Sequence, residues 1–193
     1  MGASFCGALV IVLVIHAVAP PTERLAMALR ATARWSFVWF WLASAGSALA
    51  TLFGSSFRAL ELRARDFGLA FASAHLVHVG LIAWLYYIAA GSPLPPSRAV
   101  FFGIGIFWTY LLAILSIKRI SEKLDRETWR RLRTFGVEYI NLIFIYDFAN
   151  KPFHGRAANL LVYLPLLALA VAGPVLRLAA ALKRLTQSPT LAA

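Results

Sequence analysis

The chain has 193 residues, 61% of them hydrophobic, and a formal net charge of +11 at pH 7. Its mean hydropathy of +0.73 excludes an ordinary soluble domain, in which apolar residues make up about half of the total. The apolar segments use most of the length and leave no room for a flavin or nicotinamide domain, so such chemistry would need a separate protein. We therefore expect a single transmembrane domain over residues 1–193.

Six apolar segments predict transmembrane helices, because about 20 mostly apolar residues cross the hydrocarbon core as a helix. The predicted fold class is all-α: a polytopic integral membrane helical bundle of about six transmembrane helices. The first and fifth segments are the shortest and carry polar residues. In chain order the segments cover residues 4–19, 35–53, 67–90, 99–117, 135–149 and 159–182.

The basic residues lie mostly between these segments, which favours lipid headgroups over nucleic acid as the partner. With six spans, twelve basic residues fall on one side of the membrane and six on the other, with Arg177 inside the last span. The positive-inside rule then places both termini in the cytoplasm. The twelve are Arg58, Arg63, Arg65, Lys118, Arg119, Lys123, Arg126, Arg130, Arg131, Arg133, Lys183 and Arg184. The six are Arg24, Arg30, Arg34, Arg98, Lys151 and Arg156.

The longest polar stretch, residues 118–134, alternates in charge sign. This pattern predicts a short amphipathic helix on the cytoplasmic headgroups, with docking of a soluble partner as the alternative. Gly103 and Gly105 lie inside the fourth segment with no preceding strand. They therefore predict close helix packing and not a dinucleotide motif.

The third segment carries His75 and His78 near its middle. Three positions apart on a helix, they share a face. An ionisable side chain at that depth is costly and is by default a candidate functional residue. Imidazole is both a haem ligand and a proton-relay group, so this pair marks the predicted functional core.

The fifth segment is unusually polar, with Glu138, Asn141 and Asp147 on one short helix. Two carboxylates there suggest a proton path or a cation site. For Asp147, solvation at the outer interface is the favoured interpretation. For Glu138 the alternatives stay open, because Arg131 or Arg133 could neutralise it.

A metal site in the outer half is a further alternative. Two other histidines, His16 and His154, would fall on the same side as Tyr146, Asp147 and His78. No paired metal-ligand spacing connects them, and isolated histidines at interfaces usually form ordinary hydrogen bonds.

Two stretches resemble the ferric reductase-like transmembrane domain, especially the haem-binding membrane subunit of the bacterial methionine sulfoxide reductase system. In residues 63–78 a basic start leads into a span, and His78 falls at the position of a haem-ligating histidine. Residues 116–119 and 129–139 are similar to the family's serine-and-basic loop followed by Trp-x-x-Leu-His and a nearby tyrosine. The resemblance covers about residues 32–150, and six spans with cytoplasmic ends fit it.

The chain departs from the family at both ligand positions of the fifth span, where Arg133 and Tyr146 replace histidines. The resemblance therefore implies at most one b-type haem, with His78 as the axial ligand and His75 or Tyr146 as a second or supporting one. By helical rise, His78 and Tyr146 lie at similar depth. A Tyr–His hydrogen bond in a haem-free bundle fits equally well, and Arg133 could pair with a haem propionate, a quinone oxygen or a lipid phosphate.

The leading functional hypothesis is a ferric reductase-like protein of the bacterial inner membrane. It would carry electrons across or within the membrane from a separate flavoprotein or from quinol, with residues 118–134 facing the partner. The alternative is a haem-free membrane subunit or scaffold. There the polar core would be a hydrogen-bonded packing network of His75, His78, Glu138, Asn141 and Tyr146. A small transporter or proton-conducting protein is less favoured, because the chain has no inverted repeat.

Overall fold

The computed structural model describes residues 1–89, 93–117, 120, 125–150 and 158–187, with side chains from residue 160 onward in the last range. Within these ranges the chain is all-α, with seven helices, a 3₁₀ turn at Ser55–Phe57 and no strand, so the all-α part of the predicted fold class is confirmed. The helices are α1 (Gly2–Val18), α2 (Arg24–Phe53), α3 (Arg58–Leu62), α4 (Ala64–Ile88), α5 (Pro96–Leu115), α6 (Arg126–Asn150) and α7 (Ala158–Gln187).

Four of these helices, α2, α4, α5 and α7, are long and apolar enough to cross a membrane. This finding supports membrane association but not six full spans. Helix α1 has only 17 residues, and α6, in the position of the fifth predicted span, is more polar than the other long helices.

Helix α1 packs along only part of the bundle. The Ser4 and Ser73 hydroxyl oxygens lie 2.9 Å apart, and the indole N–H of Trp35 donates to the Ser4 carbonyl at 2.9 Å. Ser73 lies nine residues after the start of α4 at Ala64, roughly 14 Å along its axis. Helix α1 therefore begins beside Ser73 of α4 and runs from there toward one end of the bundle, so it does not cover the full length of α4.

Helix α2 begins eleven residues before the predicted span that starts at Trp35. Arg24, Arg30 and Arg34, which the six-span count placed in a loop, therefore lie on its first three turns. The residues around them are mainly Ala, Leu and Met, which have high helix propensity. Hydropathy alone started the predicted span too late, because it detects the apolar part of a helix and not the first helical residue.

The core lies where α2, α4, α6 and α7 meet. Five phenylalanines from the first three of these helices pack with ring centroids 4.9 to 6.2 Å apart, and Tyr163 of α7 joins them. Aromatic pairs at such distances add stabilisation beyond their buried area. The phenylalanines are Phe37, Phe40, Phe71, Phe144 and Phe148.

Helix α6 runs from Arg126 without a break through the region of the fifth predicted span. The predicted amphipathic helix over 118–134 lies partly outside the described residues. Its described end forms the first turns of α6 and is not a separate surface helix. Asp125 caps this helix by accepting a 2.8 Å hydrogen bond from the Thr128 backbone N–H, which satisfies one of the unpaired donors of the first turn.

Candidate functional site

A cavity of about 440 Å³ opens between α2, α4, α5 and α6. His75 and His78 line it, so we call it the histidine cavity. Its wall is otherwise mostly apolar, with Arg30 and Asp147 as charged members. The volume falls in the range of small-molecule sites, which are typically apolar with a few polar groups. The structure therefore places the predicted histidine pair at the wall of a cavity.

The ring of His78 is oriented by Thr32 of α2. The Thr32 hydroxyl lies 3.0 Å from His78 Nδ1 and donates its single proton to the Ala28 carbonyl at 2.8 Å. With the Thr32 proton on Ala28, Nδ1–H of His78 donates to Thr32, and this tautomer leaves the lone pair on Nε2. A hydrogen bond of this kind fixes the tautomer of a metal-ligating histidine.

His75 lies one turn before His78, with ring centroids 5.3 Å apart and planes at 30°. Its other flank packs on Phe71, also at 5.3 Å. The Nδ1 atom of His75 is buried without a hydrogen-bond partner among the described residues. An unsatisfied buried polar atom is unfavourable, so the cavity next to it is where a ligand polar group would be stabilised.

Tyr146 does not line the histidine cavity. Its ring packs against Phe101 and Phe102 of α5, with centroids 5.4 and 6.3 Å away. The residues of α6 that line this cavity are Ile140, Ile143, Phe144 and Asp147. Asp147, for which outer solvation was the favoured interpretation, is thus a half-buried cavity residue.

Glu138 pairs with Arg177 of α7, not with either arginine considered from the sequence. Arg177 Nε and Nη2 donate to the two carboxylate oxygens of Glu138, each at 2.8 Å. Arg131 instead donates to Glu127 at 2.8 Å. The bidentate pair offsets the cost of two charges among apolar helices, which gives Glu138 a structural role.

Asn141 is buried and compensates for a proline. Pro174 lies inside α7 and has no N–H to donate to the carbonyl four residues earlier, that of Ala170. The Asn141 side-chain amide donates to this carbonyl at 3.1 Å. Neighbouring helices often satisfy backbone groups freed by a proline in this way. Asn141 and Glu138 therefore both connect α6 to α7, away from the histidines.

A second cavity, of about 380 Å³, is lined by Arg65 of α4 and Arg133 of α6. We call it the arginine cavity. It shares Phe71, Thr109 and Ile140 with the histidine cavity, so the two adjoin. Surrounding protein atoms desolvate the Arg133 guanidinium, and this effect, with repulsion from Arg177, lowers its pKa. Arg133 and His78 thus belong to different cavities.

The structure gives no support to the predicted outer metal site. Within the described ranges, no group of three or more His, Cys, Asp and Glu side chains could hold a metal ion. His16 is exposed on α1, and His154 lies outside the described residues.

Sequence reasoning missed Thr32 as a site residue and missed the pairing of Glu138 with Arg177. Thr32 falls in the part of α2 that was assigned to a loop, so its depth was not considered. Arg177 was noted inside an apolar span, and Glu138 was noted inside another, but only Arg131 and Arg133 were considered as its partners. A search for an opposite charge at matching depth would have found the pair.

Comparisons of the chain with protein-family models, with curated proteins and with solved structures found no match. The resemblance to the ferric reductase-like domain therefore stays a prediction.

Proposed function

We propose that the protein is a ferric reductase-like membrane electron carrier with one b-type haem in the histidine cavity. The observation that supports it most is the orientation of His78 by Thr32 at the wall of a mostly apolar cavity. His78 would be the axial ligand and His75 a supporting residue. A bound haem would supply one-electron redox chemistry, with electrons from a separate donor.

The residues present fit a haem with one protein ligand. His78 offers an imidazole with a fixed tautomer, and Arg30 lines the same cavity, where its guanidinium suits a propionate carboxylate. The facing helix α6 contributes Ile143 and Asp147 and no second imidazole. We accordingly propose a single site and not the bis-histidine pair of the family.

The test is a reduced-minus-oxidised absorption spectrum of the full chain purified after expression with ample haem. We expect a Soret and α-band pair that His78→Ala abolishes and Thr32→Val weakens. Outer-shell partners of a ligating histidine typically change affinity about 10- to 100-fold. His16→Ala is the matched control, because His16 is exposed on α1 away from the cavity. A featureless spectrum from folded protein would rule out the haem proposal.

The second candidate is a haem-free membrane subunit or scaffold. It is favoured by the way the other predicted polar residues are satisfied within the bundle. Glu138 binds Arg177, Asn141 binds the Ala170 carbonyl, and Tyr146 packs on aromatic rings. A featureless spectrum together with a lowered melting temperature in His78→Ala, which removes the contact with Thr32, would support this candidate.

We also propose a bacterial inner-membrane location with both termini cytoplasmic and a partner surface at residues 118–134. The charge distribution supports this orientation, since positive loops favour the cytoplasm. Cys6 is the only cysteine, so Cys6→Ala gives a background for Gln187→Cys and Arg98→Cys. An impermeant maleimide should label position 98 in intact cells and position 187 only after permeabilisation. The reverse pattern would contradict the orientation.

A further inference from the structure

The arginine cavity lies at the basic end of the bundle. This end is formed by α3, the start of α4, the end of α5, the start of α6 and the end of α7. Arg65 Nε donates to the Ser116 carbonyl at 2.9 Å, which holds the guanidinium between α4 and α5. A guanidinium has five N–H donors, so the other donors of Arg65 remain for a ligand. Arg133 approaches the same cavity from α6.

Arg133 has no salt-bridge partner among the described residues, whereas the neighbouring Arg130 and Arg131 both pair with Glu127. Its side chain is exposed at this end of the bundle, and Arg177 repels it. Two arginines that face one cavity form an electropositive site suited to a phosphate.

The remaining wall of the arginine cavity is largely apolar, as expected of a site for an amphiphile. Beyond the arginines the cavity is bounded by Phe40, Phe71 and Leu112, and Trp129 lines it near Arg133. Helices α4 and α5 make few contacts with each other, which leaves space between them. A tryptophan near basic residues at a helix end is typical of the headgroup level of a bilayer.

We propose that the arginine cavity binds an anionic phospholipid, with its phosphate on Arg65 and Arg133 and an acyl chain against Phe71. The site is independent of the haem proposal. The apolar wall favours a lipid over free phosphate, because inorganic phosphate would leave that wall exposed to water. Glu61 also lines the cavity and accepts a hydrogen bond from Ser47 at 3.3 Å, so its carboxylate opposes an anion and limits the affinity.

Brominated lipids test this directly, because bromine quenches tryptophan fluorescence on contact and Trp129 lines the cavity. The full chain in neutral detergent is titrated with bromine-labelled phosphatidylglycerol and, separately, phosphatidylcholine. We expect a midpoint about five-fold lower for phosphatidylglycerol, which corresponds to ~1 kcal/mol for one net basic charge. Trp129→Phe should remove this high-affinity quenching.

Three variants make the test specific. Arg65→Gln with Arg133→Gln should raise the phosphatidylglycerol midpoint to that of phosphatidylcholine. Arg130→Gln, on the same helix but outside the cavity, should leave it unchanged. Glu61→Gln should lower it, and this gain does not depend on whether the arginine variant folds.

Equal midpoints for the two lipids in the unmodified chain would overturn the proposal, as would an equal loss in Arg130→Gln. A failure of Glu61→Gln to lower the midpoint would also contradict it. A further titration uses inorganic phosphate at millimolar concentration as competitor. Complete release of the lipid by phosphate would mean that the acyl chain contributes nothing to binding, which would also contradict the proposal.

Discussion

Arg177 of α7 donates one 2.8 Å hydrogen bond to each carboxylate oxygen of Glu138 on α6. The side chains keep 21% and 44% of their exposure, respectively, on a face that a bilayer would cover. The pair joins two helices that also share the contact between Asn141 and the carbonyl freed by Pro174. The α6–α7 contact therefore combines these polar interactions with the aromatic packing of Tyr163 on Phe148.

Removing one member of this ion pair should be worse than removing both. Glu138→Gln leaves an unpaired arginine, so we expect a loss on the order of a few kcal/mol. Glu138→Leu combined with Arg177→Leu should recover most of it. Thermal unfolding of the full chain in detergent measures the difference. Glu127→Gln, which breaks an exposed pair, is the control and should hardly change the melting temperature. Equal losses in the single and double variants would show that the pair contributes no coupling.

Asn141 and Pro174 should be energetically coupled. In Asn141→Leu the Ala170 carbonyl loses its donor, at a cost of roughly 1–3 kcal/mol. In the Pro174→Ala background the new backbone N–H can donate to that carbonyl, so the same substitution should cost less. A double-mutant cycle on melting temperature tests this. Additive effects would mean that Asn141 does not serve the freed carbonyl.

Substitution by alanine should destabilise the protein at Gly136 and be tolerated at Gly103. A Cβ on Gly136 would lie 2.8 Å from both the Trp108 ring and Leu112, so overpacking should cost about 1–3 kcal/mol. Nothing lies within 4 Å of a Cβ on Gly103. Gly103→Ala should therefore be tolerated. Equal melting temperatures for the two variants would contradict the packing described for α5 and α6.

The start of α6 should loosen in acid. Hydrogen bonds from the Thr128 side chain and backbone lower the pKa of Asp125, and those from Arg131 and Arg130 lower that of Glu127. Because each folded-state pKa lies below the unfolded value, the stabilisation is complete above about pH 4–5 and is lost as the pH falls through the folded value. Amide exchange over residues 126–132, corrected for intrinsic rates, should rise on acidification.

The control for this prediction is a chain in which both carboxylates are neutral. Asp125→Asn keeps a capping side chain but cannot titrate, and Glu127→Gln removes the second carboxylate. Their combination should flatten the pH dependence. An unchanged acid response in the double variant would locate the titrating group elsewhere.

The sequence was sufficient for the all-α class and for placing the two histidines on one face of a helix. Long apolar segments require helices in lipid, and His75 and His78 do face one cavity. The prediction for Gly105 was correct, since its Cβ would collide with Ile143, whereas Gly103 faces open space. Both were predicted to serve close packing because they lie in the same apolar segment. The sequence does not show which of them faces a neighbouring helix, since the neighbouring helices set the rotation about the helix axis.

The pairing of the polar residues could not be predicted in the same way. For Glu138 only arginines close to it in sequence were considered as partners, because a sequence does not give distances in space. Tyr146 was placed level with His78 by helical rise, and the rise was adequate, but its side chain points toward Phe101. The position of a residue along its helix follows from the residue number, whereas the direction of its side chain around the helix axis depends on which helices pack together.

The polar contacts between α6 and α7 also bear on how the chain enters the bilayer. An unpaired arginine at mid-helix costs about 2.5–3.5 kcal/mol on insertion, and the carbonyl exposed by Pro174 adds to the penalty for α7 alone. Glu138 and Asn141, both on α6, cancel these two costs only once the helices lie side by side. Pairing with α6 therefore lowers the cost of placing the polar groups of α7 in a bilayer, so the two helices together meet a smaller penalty than α7 alone.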